Sequence, residues 1–164
     1  MGTERGLGPF ESASGLDFRV PVPAMLPVRA RPRAPELGDV AAATRNSLDG
    51  TRDRVMPGMS VAVTAGSRGI HDNALVLRTC LDWLKENGAR PFVVPAMGSH
   101  GGATAAGQLE LLASLGITEA TMGAPIRATM DTVVVDRLPD GPELHVDAFA
   151  WAGDAILPHC QLGN

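Results

Sequence analysis

The segment Pro91-Phe-Val-Val-Pro-Ala-Met-Gly-Ser-His-Gly-Gly-Ala-Thr104 runs from an apolar strand into a glycine-rich turn that carries one histidine, His100. The segment Ser60-Val-Ala-Val-Thr-Ala-Gly-Ser-Arg-Gly-Ile70 repeats this design upstream, with Arg68 in the turn. Strands that are apolar throughout are typical of sheets buried on both faces, and short alternation of strands and helices is typical of parallel neighbours. The two segments therefore predict a parallel α/β sheet with both turns at one edge.

The apolar spacing outside these strands predicts the remaining elements of the fold. Helices are expected over 36–55, interrupted or ended near Gly50, over 72–87 and over 104–115, and further strands over 132–135, 143–148 and 155–157. Asp72 and Thr104 are the expected N-caps of the second and third helices. We thus predict an open, mainly parallel sheet with helices on both faces, Rossmann-like, over residues 36–164. No covering helix follows the last strand, which predicts that the C-terminal part of this domain is missing.

The N-terminal residues 1–35 are expected to form a loose or extended arm, because 17–35 contain five prolines and central strands tolerate proline poorly. The chain has no apolar secretion segment and no run long enough to span a bilayer, so we expect a cytoplasmic protein. Its net charge is −4, its basic residues are scattered and its aromatic content is 4%, which argues against nucleic acid as a partner. Cys80 and Cys160 have no disulfide or paired-ligand spacing.

The two turns carry the candidate site, because ligands of open α/β sheets gather at the carboxyl ends of the strands. Arg68 offers a planar fork suited to a carboxylate or phosphate, and His100 can move a proton near neutral pH. The alternatives are a surface arginine that caps its own turn and a histidine that hydrogen-bonds its loop. Ser99 beside His100 is disfavoured as a nucleophile, because adjacent turn residues seldom point at each other.

The other motifs give weaker evidence for a functional site. Gly98-Ser-His-Gly-Gly102 is not the dinucleotide fingerprint and no Walker lysine follows it, although a bound phosphate remains open. On a strand, His145 shares a face with Glu143 and Asp147, for which a solvated polar face is preferred over a metal site. His71 is expected at the surface. His159 and Cys160 are adjacent and lack a third ligand, so no metal site is predicted.

At these residues the chain resembles the nickel-dependent lactate racemase family, in the N-terminal α/β domain of its lactate-racemase-like bacterial members. The resemblance runs from about Val55 to Leu157. Its most specific pieces are Ala65-Gly-Ser-Arg-Gly-Ile70, Pro95-Ala-Met-Gly-Ser-His-Gly-Gly-Ala-Thr104 with Gly107-Gln108, and Leu115-Gly-Ile-Thr118 leading to Pro125-Ile126.

The resemblance implies an isomerase that interconverts the enantiomers of a 2-hydroxy acid with a nickel-pincer nucleotide. By this resemblance His100 is the catalytic histidine that takes the hydroxyl proton, and Arg68 steadies a small carboxylate substrate. Ser67 stands at the position of a neighbouring Thr or Ser and is assigned to the substrate. The positions that would face the cofactor are Gly66, Gly98 and Ser99.

The chain departs from the racemase pattern. Ala65 stands where the racemases have an acid and Gly101 where an arginine follows the histidine, which puts lactate as substrate in doubt. The cofactor-tethering lysine, the nickel-ligating histidine and the second catalytic histidine belong to later family sequence, so we expect this chain to be inactive and to retain no cofactor alone. Truncation or a frameshift fits this pattern, and a missing C-terminal domain or self-association is the expected partner.

Two alternatives remain open at this point. The chain can be a binding module for a small anion or phosphate, or a non-functional truncated remnant. Retention of nickel and nucleotide separates the first alternative from the racemase half-site. The DNA downstream of the last codon separates an interrupted gene from a remnant, because only the former would encode a continuation bearing lysine and histidine.

Overall fold

The computed structural model describes residues 37–139 and 141–158, and the predicted N-terminal arm over 1–35, His159 and Cys160 lie outside them. The described chain is an α/β structure. In chain order its elements are α1 (Val40–Asp49), β1 (Ser60–Ala65), α2 (Asn73–Glu86), β2 (Arg90–Pro95), α3 (Ala105–Ser114), α4 (Glu119–Met122), β3 (Thr132–Arg137), β4 (Glu143–Asp147), α5 (Ala148–Trp151) and β5 (Ala155–Leu157), with short 3₁₀ turns at Arg52–Arg54 and Gly101–Ala103.

The central sheet contains three parallel strands in the order β2-β1-β5. Ser60 lies opposite Arg90 at one end of the β1–β2 pair, and Ala65 lies opposite Pro95 at the other. Beyond β2, a single parallel bridge joins Val93 to Ile126. The predicted parallel α/β sheet is therefore confirmed in its class, and the carboxyl ends of β1 and β2 are neighbours.

The two faces of this sheet are covered unequally. Alternate β1 residues Val61, Val63 and Ala65 join the main core, where the largest fully buried side chains come from α2, α3 and the turns that follow α3. The opposite face presents Ala62, Phe92 and Val94, which pack against Ala150 of α5 and Val146 of β4. Within residues 37–139 and 141–158, long helices cover only the first face, and the opposite face is covered by the one-turn helix α5 and by β4.

The strands predicted over 132–135 and 143–148 form, but they pair with each other. β3 and β4 make a separate antiparallel hairpin in which Val133 faces Val146 and Thr132 faces Asp147. Val134, between the half-buried Val133 and Val135, is 52% exposed. An apolar run with one solvated face suits a two-stranded ribbon, whereas a central parallel strand would be buried on both faces.

Thr104 and Asp72 both stand at the predicted N-cap positions, but only Thr104 caps its helix with its side chain. Thr104 begins α3 with an extended backbone and accepts a hydrogen bond from the Gly107 amide at 3.1 Å. Asp72 precedes α2 but has a left-handed backbone with φ of 58° and makes no side-chain cap. Its carboxylate pairs with the imidazole Nδ1 of His71 at 2.9 Å. A side-chain cap needs extended backbone to bring the side-chain oxygen back to the helix amides, and Asp72 lacks that backbone, so it caps α2 only through its carbonyl, which accepts from the Val76 amide.

No helix in residues 37–139 or 141–158 is long and apolar enough to cross a bilayer.

Candidate functional site

The candidate site lies where β1 and β2 end. The last residues of the two strands, Ala65 and Pro95, are paired, and the Ala96 amide donates to the Ala65 carbonyl at 2.8 Å. This bond carries the pairing one step past β2. The turn with Ser67 and Arg68 and the turn with His100 therefore leave the sheet from the same edge, as the topology of two adjacent parallel strands requires.

A side-chain hydrogen bond joins the two turns. The Ser67 hydroxyl oxygen lies 2.5 Å from Nδ1 of His100, although the two residues are 33 positions apart. His100 is exposed and Ser67 is half-buried. Arg68, the next residue, is exposed, and its guanidinium has no partner among the described side chains. The structure thus brings an imidazole and a hydroxyl into contact, and the residue after that hydroxyl is an exposed arginine.

The His100 turn is fixed against the first turn of α3. Gly98, Gly101 and Gly102 have positive φ values of 58°, 66° and 68°, a region that residues with a side chain rarely adopt. The Gln108 side chain, only 5% exposed, donates to the Gly98 carbonyl at 2.9 Å. The Thr104 hydroxyl donates to the Gly101 carbonyl at 3.1 Å. These bonds hold the loop on a helix, so His100 is presented by a supported turn.

Gly101 and Gly107 touch through their backbones. A Cβ atom built on Gly101 would lie 2.5 Å from the Gly107 carbonyl carbon, and one built on Gly107 would collide with the Gly101 carbonyl oxygen. Both positions therefore require glycine for packing. Position 101 is also where the racemase pattern has arginine, and the present turn cannot accept that side chain without moving away from α3.

The other positions assigned from the resemblance lie around this pair. Ser99 is exposed, its carbonyl accepts from the Ala103 amide at 3.0 Å, and its hydroxyl makes no bond to His100. A Cβ on Gly66 would meet nothing within 4 Å, and Gly66 lacks a left-handed φ. Ala65, which stands where the racemase pattern has an acid, is fully buried at the end of β1. The cofactor roles of Gly66, Gly98 and Ser99 remain predictions.

A depression of about 370 Å³ opens beside the Arg68 turn at the start of α2. Its lining includes Gly69, Asn73 and Leu115. Asn73 is 7% exposed, and its side-chain oxygen Oδ1 has no hydrogen-bond partner within the described residues. Asn73 was not predicted from the sequence, because an asparagine in the first turn of a helix is usually a solvated or capping residue.

The remaining polar groups do not assemble into a metal site. In residues 37–139 and 141–158 no group of three or more His, Cys, Asp or Glu side chains is placed to hold a metal ion. His145 bonds the Thr132 hydroxyl at 2.9 Å and lies 3.6 Å from Glu143. His71 is at the surface, with its side chain 95% exposed.

Comparison of the chain with protein-family models, curated proteins and solved structures gave no significant match. The resemblance to the lactate racemase family therefore depends on the sequence motifs between Val55 and Leu157 alone.

Proposed function

We propose that the turns after β1 and β2 form the carboxylate-binding and proton-transfer half of a lactate-racemase-like site. The observation that carries the proposal is the contact between Ser67 and His100 at 2.5 Å, next in sequence to the exposed Arg68, whose guanidinium has no partner among the described residues. Residues from two different turns meet at the sheet edge where α/β proteins bind their ligands. A surface arginine that caps its own turn, the simpler alternative, would have a backbone partner, and the Arg68 side chain has none among residues 37–139 and 141–158.

The proposed substrate class is a small 2-hydroxy carboxylate. An arginine binds a carboxylate through two parallel N–H donors, which fixes the orientation as well as the position of the anion. His100 then serves as the group that takes the hydroxyl proton of the substrate and returns it in the reverse direction. Arg68 and His100 come from adjacent strands, so one small molecule that carries both a carboxylate and a hydroxyl suits the pair.

The nickel-pincer nucleotide does not fit the residues present. The resemblance implies a lysine tether, and Lys85 is the only lysine in the sequence. Lys85 lies in the last turn of α2, and its ammonium donates to the Gly123 carbonyl at 2.8 Å. His100 follows the carboxyl end of β2. The bond to Gly123 holds Lys85 at the carboxyl end of α2, which leads into the start of β2. The proposal therefore assigns only binding and proton transfer to this chain, and places the hydride chemistry of the family on groups outside these 164 residues.

A small-anion module is the alternative. It would bind its ligand through free backbone amides of the His100 turn, as phosphate-binding turns do in other proteins. Arg68 would serve either ligand. The two proposals differ in the role of His100. The racemase-like site uses it for proton transfer, whereas an anion module needs only the backbone amides and Arg68.

Binding measurements separate these proposals. We expect lactate, or a longer 2-hydroxy acid, to shift the His100 ring signals in nuclear magnetic resonance spectra of the chain. Arg68→Ala should weaken this binding by about 10- to 100-fold, the usual effect of losing charged hydrogen bonds. Arg90→Ala is the matched control, because Arg90 is an exposed arginine at the other end of β2. Inorganic phosphate binding without any 2-hydroxy acid binding would favour the anion module.

Activity is tested with a family-type C-terminal part supplied to the chain. The chain alone should neither retain nickel nor racemise 2-hydroxy acids. In the completed enzyme, His100→Ala should lower the rate by roughly 10²–10⁴-fold, the usual contribution of a general base. Activity of the bare chain without nickel would contradict the proposal, as would a completed enzyme that is indifferent to His100→Ala.

A further inference from the structure

We infer that Ser67 is the positioning residue of His100: it holds ring nitrogen Nδ1 and so makes Nε2 the nitrogen that exchanges a proton with the ligand. This inference rests on the proposed function for its catalytic meaning. Its structural content is the side-chain bond of 2.5 Å between the two turns.

The bond restricts the chemistry of the imidazole. A neutral histidine has one nitrogen that donates and one that accepts, and the partner of one nitrogen decides the state of the other. When the Ser67 oxygen accepts from Nδ1–H, Nε2 carries a lone pair and acts as a base. When the Ser67 hydroxyl donates to Nδ1, Nε2 carries the proton and acts as an acid.

A hydroxyl suits a reversible proton transfer for this reason. It both donates and accepts, and it changes role by rotating about one bond. A carboxylate at the same place would only accept from Nδ1 and would favour the basic form of Nε2. Nε2 of His100 has no partner among the described residues, and His100 is exposed, so this nitrogen is free to meet a ligand.

The same contact could make Ser67 a nucleophile with His100 as its base. That arrangement usually includes a third group that orients the base through its other nitrogen. No carboxylate contacts Nε2 within residues 37–139 and 141–158. Positioning by Ser67 is therefore the better interpretation, and nucleophilic reactivity becomes one outcome of the test.

The first test measures the protonation of the His100 imidazole nitrogens directly and does not require enzymatic activity. Long-range proton–nitrogen spectra of the histidine-labelled chain report which imidazole nitrogen carries the proton. We expect the nitrogen shifts of His100 in Ser67→Thr, which keeps the hydroxyl, to match those of the wild type. Ser67→Ala should give the tautomer mixture of free histidine. Ser114→Ala, which removes a serine hydroxyl that bonds only within α3, should leave the His100 signals unchanged.

The inference is overturned if Ser67→Ala leaves the nitrogen shifts of His100 as they are in the wild type. It is also overturned if a fluorophosphonate labels Ser67 in the wild type and His100→Ala abolishes the labelling, since His100 would then be the base of a nucleophilic serine.

The outcome is separable from that of the proposed function. If the ring signals change as expected but no 2-hydroxy acid binds, the positioning by Ser67 stands and the proposed function fails. If a completed enzyme is active but Ser67→Ala changes neither its pH–rate profile nor the ring signals, the proposed function stands and the positioning role fails. A pH–rate profile that is altered in Ser67→Ala and retained in Ser67→Thr supports both the proposed function and the positioning role.

Discussion

Replacing Gly101 by alanine should destabilise the fold more than the same change at Gly102. Both glycines have nearly the same backbone, with φ of 66° and 68°, so a side chain costs each about 1–2 kcal/mol of left-handed strain. The surroundings differ. A Cβ on Gly101 would lie 2.5 Å from the Gly107 carbonyl carbon and 2.6 Å from the Gln108 amide nitrogen, whereas a Cβ on Gly102 would meet nothing within 4 Å.

The difference between the two variants isolates the contact with α3. Overpacking against backbone that cannot rotate away costs about 1–3 kcal/mol. Gly101→Ala should therefore lose about 2–5 kcal/mol of unfolding free energy and Gly102→Ala about 1–2 kcal/mol, from the sum of the two costs. Urea unfolding followed by circular dichroism measures both values.

A reciprocal variant makes the test sharper. Alanine at Gly107 is favoured by helix propensity by about 1 kcal/mol, yet its Cβ would collide with the Gly101 carbonyl oxygen. We expect a net loss of stability in Gly107→Ala, and a loss in the double variant that is smaller than the sum of the single losses, because one displacement relieves both collisions. Equal stabilities of Gly101→Ala and Gly102→Ala would refute the argument that α3 fixes the His100 turn.

Three further predictions concern titration and association. Burial raises the pKa of the Cys80 thiol from 9.0 to about 11. The contribution of this thiol to stability is therefore complete below pH 9.0 and is lost as the pH rises toward 11. Unfolding midpoints of the wild type should fall over this range more than those of Cys80→Ala. The hydrogen bond from Arg45 lowers the pKa of Glu86 below 4.5. The contribution of the Arg45–Glu86 pair to stability is therefore present above pH 4.5 and is lost as the pH falls. Acid unfolding curves of Arg45→Met should show a weaker dependence on pH. The edge strand β5 exposes 42% of Ile156, so sedimentation velocity should detect concentration-dependent association that Ile156→Lys reduces, and a wild type that stays monomeric at every concentration would contradict this expectation.

The elements next to the site could be predicted within two residues of their observed bounds. β1, α2, β2 and α3 each combine a strong apolar period with a glycine at their end, and these signals are local. Gly88 and Gly116, with φ of 82° and 77°, follow α2 and α3 as expected of helix ends. The edge of the sheet that carries the site follows from these elements, because two parallel strands with a helix between them end on the same side.

The partners of the later strands could not be predicted in the same way. The run Thr132-Val-Val-Val135 is apolar enough for a central strand, and only its neighbours decide between a sheet and a hairpin. α4 was missed because one turn of helix has no apolar period. Its signal was a capping box: Thr118 accepts from the Thr121 amide, and the Thr121 hydroxyl accepts from the Thr118 amide.

The meaning of the glycines around the site changes with the structure. Glycines that flank a site residue can let a ligand approach the backbone, but Gly98 and Gly102 are accounted for by their positive φ, and Gly101 by both its φ and its contact with Gly107. Their presence is therefore not evidence for a ligand.

Gly66 is the exception among the predicted site glycines. It has neither a left-handed φ nor a neighbour that a Cβ would strike, so nothing in the described chain requires glycine there. It directly precedes Ser67, whose contact with His100 could not be foreseen, because its geometry depends on the path of the second turn, where Gly98, Gly101, Gly102 and Ala103 all have a positive φ. The case for a ligand thus moves from the glycine-rich turn of β2 to the turn of β1, where an open backbone, a hydroxyl and an unpaired arginine follow one another.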